Sequence, residues 1–166
     1  MQKNIFILLG SNLGDRKAFL AQARKAIKQQ CGNILTTSQL YETAPWGFES
    51  DDWFLNQVLE IEIDYTADQL LDRLLTIETR MGRTRTTEHY GSRIIDIDLL
   101  YFSNQVINTT RLELPHPRLH LRKFTLLPLC EIAPEFIHPV LQKSQLELLQ
   151  QLSDESVVRR LDNAAD

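Results

Sequence analysis

The chain has 166 residues, 43% of them hydrophobic and 24% charged, with only 6 glycines and 6 prolines. That composition belongs to a folded globular domain and excludes a disordered, collagen-like or linker-rich chain, and the length suits one domain that buries a core of its own. A net charge of −4 weighs against a dedicated duplex-nucleic-acid binder, and an opening apolar run confined to Ile5–Leu9 is too short for a bilayer span or a signal-peptide core.

In chain order, a first strand is predicted over Asn4–Leu9, followed by a Gly10–Asp15 turn. A helix follows, on which Phe19, Leu20, Ala23, Ile27 and Cys31 recur at helical spacing, stopped by Gly32-Asn33. Ile34–Glu42 reads as β-rich, and Thr43–Trp53 as a loop. Phe54–Tyr65 reads as a strand with Leu59, Ile61 and Ile63 on one face and Glu60, Glu62 and Asp64 on the other. Thr66 with Gln69 forms a capping-box signature for a helix carrying Leu70, Leu71, Leu74, Ile77 and Met81, closed by Gly82. After a polar loop over Arg83–Ser92, the strand Ile94–Phe102 is expected to pair with Gln105–Ile107 through a Ser103-Asn104 turn. The stretch Leu112–Pro139 loses regularity apart from a short helix around Lys123–Leu129. Ser144 with Glu147 opens a last helix to about Leu152, and the polar tail from Ser153 is expected to fray. The order β-α-β-β-α-β plus additions predicts a single α+β domain, a ferredoxin-like antiparallel sheet flanked by helices in three α-β-α layers.

Charge is unevenly spread. Residues 80–122 hold seven arginines, no lysine and four acidic residues, a local excess of three positive charges that leaves −7 on the remainder. Arginine's planar fork suits bidentate contact with phosphate or carboxylate, although a solvated face would also account for such a run. Within this stretch Asp96-Ile97-Asp98 places two carboxylates on one face of the most apolar strand in the chain. Like charges in such a setting are costly unless a cation compensates them, and magnesium takes carboxylate and phosphate oxygens. The alternative is a strand end whose acids are simply hydrated. Arg83, Arg85 and Arg93 lie in the loop just before this strand, where a lid would bring positive charge to a polyanion.

Phe54 and Asn56, two apart on a strand, suit a flat heterocycle by stacking and paired hydrogen bonds, or else are plain core. His116, between Pro115 and Pro117, is either a phosphate or ribose contact or a buried structural histidine. Cys31 and Cys130 are far apart and show no metal-type spacing, so a cytoplasmic enzyme or binding module is the expected class. No Walker loop, Gly-x-Gly-x-x-Gly after the first strand, or Gly-x-Ser-x-Gly elbow is present.

The segment His89–Leu100, with its Arg93-Ile94-Ile95-Asp96-Ile97-Asp98 centre, resembles the signature of the hydroxymethyldihydropterin pyrophosphokinase family. So do Leu9–Asp15, Tyr41–Pro45, Phe54-Leu55-Asn56, Pro115–Arg118 and Arg122–Leu129, in order along the chain. The resemblance implies transfer of pyrophosphate from ATP to a reduced pterin in folate biosynthesis, releasing AMP. It implies two magnesium ions on Asp96 and Asp98, with Arg83 and Arg93 catalytic at the phosphates and Arg85 assisting. Arg85, Tyr90, Arg93, Arg111, His116 and Arg122 would contact ATP. Thr43, Ala44, Trp46, Phe54, Asn56 and Phe124 would form the pterin pocket, and Glu78 is a further candidate ahead of the lid. Some members carry Tyr in place of Phe54 and Trp in place of Tyr90. ATP and the pterin would be the partners of a monomer that binds neither nucleic acid nor membrane. The rival readings are a nucleotidyltransferase, which releases pyrophosphate instead of AMP, and a ferredoxin-like binding module.

Overall fold

The computed structural model describes residues 1–44, 53–82 and 94–161. The polar loop Arg83–Ser92, Arg93 and Trp46 lie outside them, so the expectations for Arg83, Arg85, Tyr90, Arg93 and Trp46 have no structural counterpart here.

Chain order is β1 (Gln2–Ser11), α1 (Arg16–Gln30), β2 (Asn33–Thr37), β3 (Leu40–Thr43), β4 (Phe54–Ile63), α2 (Ala67–Arg80) and β5 (Asp96–Phe102). Then follow β6 (Ile107–Asn108), β7 (Glu113–Leu114), α3 (Lys123–Ile132), α4 (Gln145–Gln150) and β8 (Val158–Leu161). The main sheet is antiparallel in the order β5-β1-β4-β3-β8, with β2 also on β4. Its strands alternate as a sheet buried on both sides requires. Ile5, Ile7 and Leu9 of β1 meet α1 and α2 in one core, whereas Phe6 and Leu8 meet α3 and α4 in a second. This is the expected α+β three-layer arrangement.

The helices begin where their caps dictate. Asp15 accepts from the Ala18 amide at α1, and the Thr66–Gln69 capping box opens α2 as predicted. Gly82, at φ +93°, takes the left-handed turn that ends α2. The predicted apolar stripes face the core: Leu20, Ala23 and Ile27 of α1, then Leu70, Leu74 and Ile77 of α2, are buried, while Phe19, Leu71 and Met81 are half-buried.

One expectation is refined and two are corrected. The β-rich stretch Ile34–Glu42 is two strands, broken at Ser38-Gln39. There the Ser38 hydroxyl accepts from Val58 N at 3.0 Å and its carbonyl accepts from Gln57 Nε2 at 2.8 Å. A side chain has replaced one rung of the ladder, which lets the chain bend. The Gln105–Ile107 segment does not pair with β5; Ile107–Asn108 pairs with β7 instead. The outer edge of β5 is already occupied, because the Glu78 carboxylate accepts from Ile97 N at 2.7 Å and His116 N donates to Leu100 O at 2.9 Å. The tail from Ser153 is not frayed throughout. Asp154 accepts from Lys123 N at 2.9 Å, capping α3 from a distance, and β8 pairs with β3.

Beneath α4, His138 is buried, with its Nδ1 accepting from the Val140 and Leu141 amides at 3.1 and 3.0 Å. Burial, and then the nearby His120, pull its pKa down to about 4. Because the folded value lies below the ordinary 6.5, the unfolded chain takes up this proton first. The stabilisation is therefore complete above pH 6.5 and is lost as pH falls toward 4. An NMR titration should find the His138 ring still neutral at pH 5.5, and a His138 resonance titrating near 6.5 would contradict this packing.

Candidate active site

Residues paired across antiparallel strands share a face, and one row crosses the centre of the sheet. Asp96 of β5 stands opposite Gly10 of β1, Gly10 opposite Asn56 of β4, and Asn56 opposite Tyr41 of β3. The adjoining positions are Asp98 opposite Leu8 and Phe54 opposite Thr43. Leu8 belongs to the core under α3 and α4, which identifies this as the face those helices cover. With strands about 4.8 Å apart, Asp96 and Asn56 are separated by roughly 10 Å of backbone.

Gly10 keeps that interval open. A Cβ there would lie 2.8 Å from Asn56 Oδ1 and 4.0 Å from Asp96 Cβ. Any side chain would therefore enter the space between the carboxylates and the amide. Three buried polar groups on β3, β4 and α3 lack hydrogen-bond partners. Thr43 Oγ1, Asn56 Nδ2 and, from the first turn of α3, Thr125 Oγ1 are buried with no hydrogen bond. Each such group costs about 1–3 kcal/mol, a cost that a ligand with matching donors and acceptors removes. Phe54 and Phe124 are half-buried, from β4 and from α3, and the Arg122 guanidinium lies 5.6 Å from the Phe124 ring centre.

Charge gathers on the β5 side. His116 follows the cis Leu114–Pro115 bond, and its Nδ1 accepts from Arg118 N at 3.1 Å. Burial first, then Arg122 and Arg118, pull its pKa down to about 4, while Asp96 opposes the fall. Asp96, His116, Arg118 and Arg122 thus form one electrostatic neighbourhood: one carboxylate beside a neutral imidazole and two guanidinium groups. Among the described residues no group of three or more His, Cys, Asp or Glu side chains is arranged to hold a metal. Asp96 and Asp98 supply two hard oxygen ligands on one strand face, which fits a cation that completes its shell with phosphate oxygens and water.

A model of the family described as 7,8-dihydro-6-hydroxymethylpterin-pyrophosphokinase (HPPK) matches residues 6–134. The chain belongs to that family. It is 40% identical over 138 residues to the 2-amino-4-hydroxy-6-hydroxymethyldihydropteridine pyrophosphokinase of Porphyromonas gingivalis, covering 81% of this chain and 93% of that protein. It is 40% identical over 136 residues to the Bacillus subtilis protein of the same name, covering 81% of each. It is also 40% identical over 137 residues to the Folic acid synthesis protein FOL1 of Dictyostelium discoideum, covering 82% of this chain but spanning only 20% of that longer protein. Among solved structures, Plasmodium falciparum HPPK-DHPS with pterin and p-hydroxybenzoate superposes with a TM-score of 0.73 at 18% identity, over 90% of this chain and 43% of that one. At that identity the likeness concerns the fold.

Within this HPPK-family chain, Asp96, with Asp98 two residues along the same strand face, shares one end of the row with His116 and Arg122, Thr43, Phe54 and Asn56 stand toward the other, and Phe124 lies on α3 beside Arg122. Ala44 follows Thr43, its amide donating to Val157 O at 3.1 Å. Glu78 reaches the site from behind. Buried on α2, it grips the amide between the two aspartates and so fixes the strand that carries them. Arg111 is not brought to this face. It is exposed and bound to Asp72 and Asp68 of α2, which covers the opposite side of the sheet. Two acids one helical turn apart form a pincer for the β6–β7 turn. Sequence reading missed the spacing role of Gly10 and the orphaned hydroxyl of Thr125. The first had a signal, a glycine ending an apolar strand; the second had none.

Proposed function

We propose that this chain transfers the terminal pyrophosphoryl group of ATP to the hydroxymethyl group of 6-hydroxymethyl-7,8-dihydropterin, with two magnesium ions on Asp96 and Asp98, and releases AMP. The observation that carries this reading is the row Asp96–Gly10–Asn56, which sets a carboxylate pair and an unpartnered buried amide on one sheet face across a side-chain-free gap. Magnesium bound there would neutralise phosphate charge and hold the chain of phosphates for in-line attack.

In this reading Asn56 pairs with the pterin edge, the hydroxyl of Thr43 and the backbone of Ala44 and Trp46 complete its polar contacts, and Phe54 and Phe124 hold the ring between them. The substrate hydroxyl then faces the β-phosphorus. The new O–Pβ bond forms as the Pβ–O bond to the α-phosphate breaks. The bridging oxygen leaves with AMP and the hydroxyl proton passes to solvent. His116, kept neutral, donates from Nε2 to the nucleotide without adding charge. Arg122 binds the nucleotide, joined by Arg85 and Tyr90, and Arg83 and Arg93 stabilise the charge that develops in transfer.

The test is direct: incubate the protein with ATP, magnesium and the hydroxymethyl pterin, and follow the phosphorus NMR spectrum. AMP and a pterin diphosphate should appear in equal amounts. Release of inorganic pyrophosphate with a nucleotidylated product would instead mark a nucleotidyltransferase.

A further inference from the structure

The terminal strand β8 lies beyond the residues that define the family match, 6–134, yet it holds the end of the sheet that carries Thr43 and Phe54. β3 is only four residues long and would otherwise be an edge strand whose last pair frays readily. β8 pairs with all four of its residues, from Leu40 opposite Leu161 to Thr43 opposite Val158. The Ala44 amide adds a further bond to Val157 O, just past the end of that ladder.

Two side chains of β8 extend this hold. Arg160 stands in register with Tyr41, and its charge acts on the Tyr41 hydroxyl, which donates to Glu131 of α3 at 2.6 Å. Arg159 stands in register with Glu42. Its Nε lies 3.2 Å from the Glu42 carboxylate, which is buried and also bound by Arg16 Nη1 at 2.9 Å. The same Arg159 guanidinium covers the Trp53 ring at 4.4 Å, while Arg16 donates to the Trp53 carbonyl at 2.7 Å. Trp53 is therefore gripped by its ring and by its backbone, one residue before Phe54. A four-carbon ammonium could keep the ion pair, but only a planar guanidinium can also stack on the indole.

We infer that Arg159 is a positioning residue for the pterin: through Glu42 and Trp53 it locks the Thr43–Phe54 pair in the geometry that the ring requires. The inference rests on the function proposed above. Arg159 itself touches no substrate. It acts by preorganisation, which is felt in the affinity for the ligand those strands hold and not in the bond-making step.

The experiment compares the wild-type protein with Arg159→Ala, Arg159→Lys, Trp53→Ala and the Arg159→Ala/Trp53→Ala double variant. Arg159→Ala should raise KM for the pterin about tenfold while kcat and KM for ATP stay within about twofold, and Arg159→Lys should fall between it and wild type. The double variant should raise the pterin KM by less than the product of the two single effects, since both changes break the Arg159–Trp53 contact. Amide exchange at Ala44 in the substrate-free protein should quicken in Arg159→Ala. A wild-type pterin KM in Arg159→Ala overturns the inference, whatever the exchange shows. So does a parallel loss in kcat, both KM values and thermal stability, which would mean that β8 only supports the fold. If the wild-type protein makes no AMP, the functional reading fails. The hold on Ala44 is then judged by exchange alone, and unchanged exchange in Arg159→Ala overturns that too.

Discussion

Replacing either Asp96 or Asp98 with asparagine should lower kcat/KM by about 10³-fold or more, the kinetic equivalent of roughly 4 kcal/mol of transition-state stabilisation. Both carboxylates project from one face of β5 toward the side covered by α3 and α4, and Asp96 shares its surroundings with His116, Arg118 and Arg122. An amide keeps the shape of the side chain and removes one anionic oxygen, so the substitution tests charge and not packing. The ligand-free variants should unfold at urea concentrations near that of wild type, because neutralising one of two neighbouring carboxylates relieves repulsion. Single-turnover measurements with saturating ATP and pterin decide the matter. A rate within tenfold of wild type for both variants would remove the carboxylate pair from the chemistry.

The second large effect is expected at Gly10. A Cβ at this position would meet Asn56 Oδ1 at 2.8 Å, closer than Cβ atoms approach in practice, and Asn56 is buried. Gly10→Ala should therefore weaken pterin binding about tenfold by turning the amide. Gly10→Val, whose branches fill the gap between Asn56 and Asp96, should weaken it by about 10²-fold or more and cost about 1–3 kcal/mol of stability through overpacking. Nucleotide affinity should change much less for Gly10→Ala, because the alanine methyl contacts Asn56 well before it reaches Asp96. Pterin and nucleotide titrations of both variants separate these effects. Unchanged pterin affinity in Gly10→Val would show that the ring does not bind at Asn56.

These expectations draw unequally on sequence and structure. The two long helices were legible because their signals are local. A capping box, an apolar stripe at 3.6-residue spacing and a closing glycine act within a few residues of one another, and α2 obeys all three. Asp96 and Asp98 were legible as a pair for the same reason, since alternation along one strand places both on one face whatever the rest of the chain does. The break at Ser38 was not legible, because it depends on which residue of β4 faces that hydroxyl. Nor was the pairing of β6 with β7, which follows from Glu78 and His116 having already taken the outer edge of β5.

Arg111 marks the same boundary. Its residue type and its place in an arginine-rich stretch point toward phosphate, yet Asp68 and Asp72 on a distant helix take its charge. The tail shows the converse. Read alone, the residues after Ser153 are a polar segment with few reasons to order; next to β3, they complete a sheet edge and bring Arg159 over Trp53.

By itself, the sequence determined the α+β order of elements, the cores of the strands and helices, the acidic pair and the family to which the chain belongs. All of these are encoded in spacings of a few residues, where backbone geometry alone decides which side chains share a face. Only the tertiary structure decided that Asp96, Gly10 and Asn56 stand in one row, that Thr43 and Phe54 are steadied from β8, and that Arg111 faces away. Those outcomes depend on the register between strands distant in sequence, which is set when two cores on opposite faces of one sheet must be filled at once.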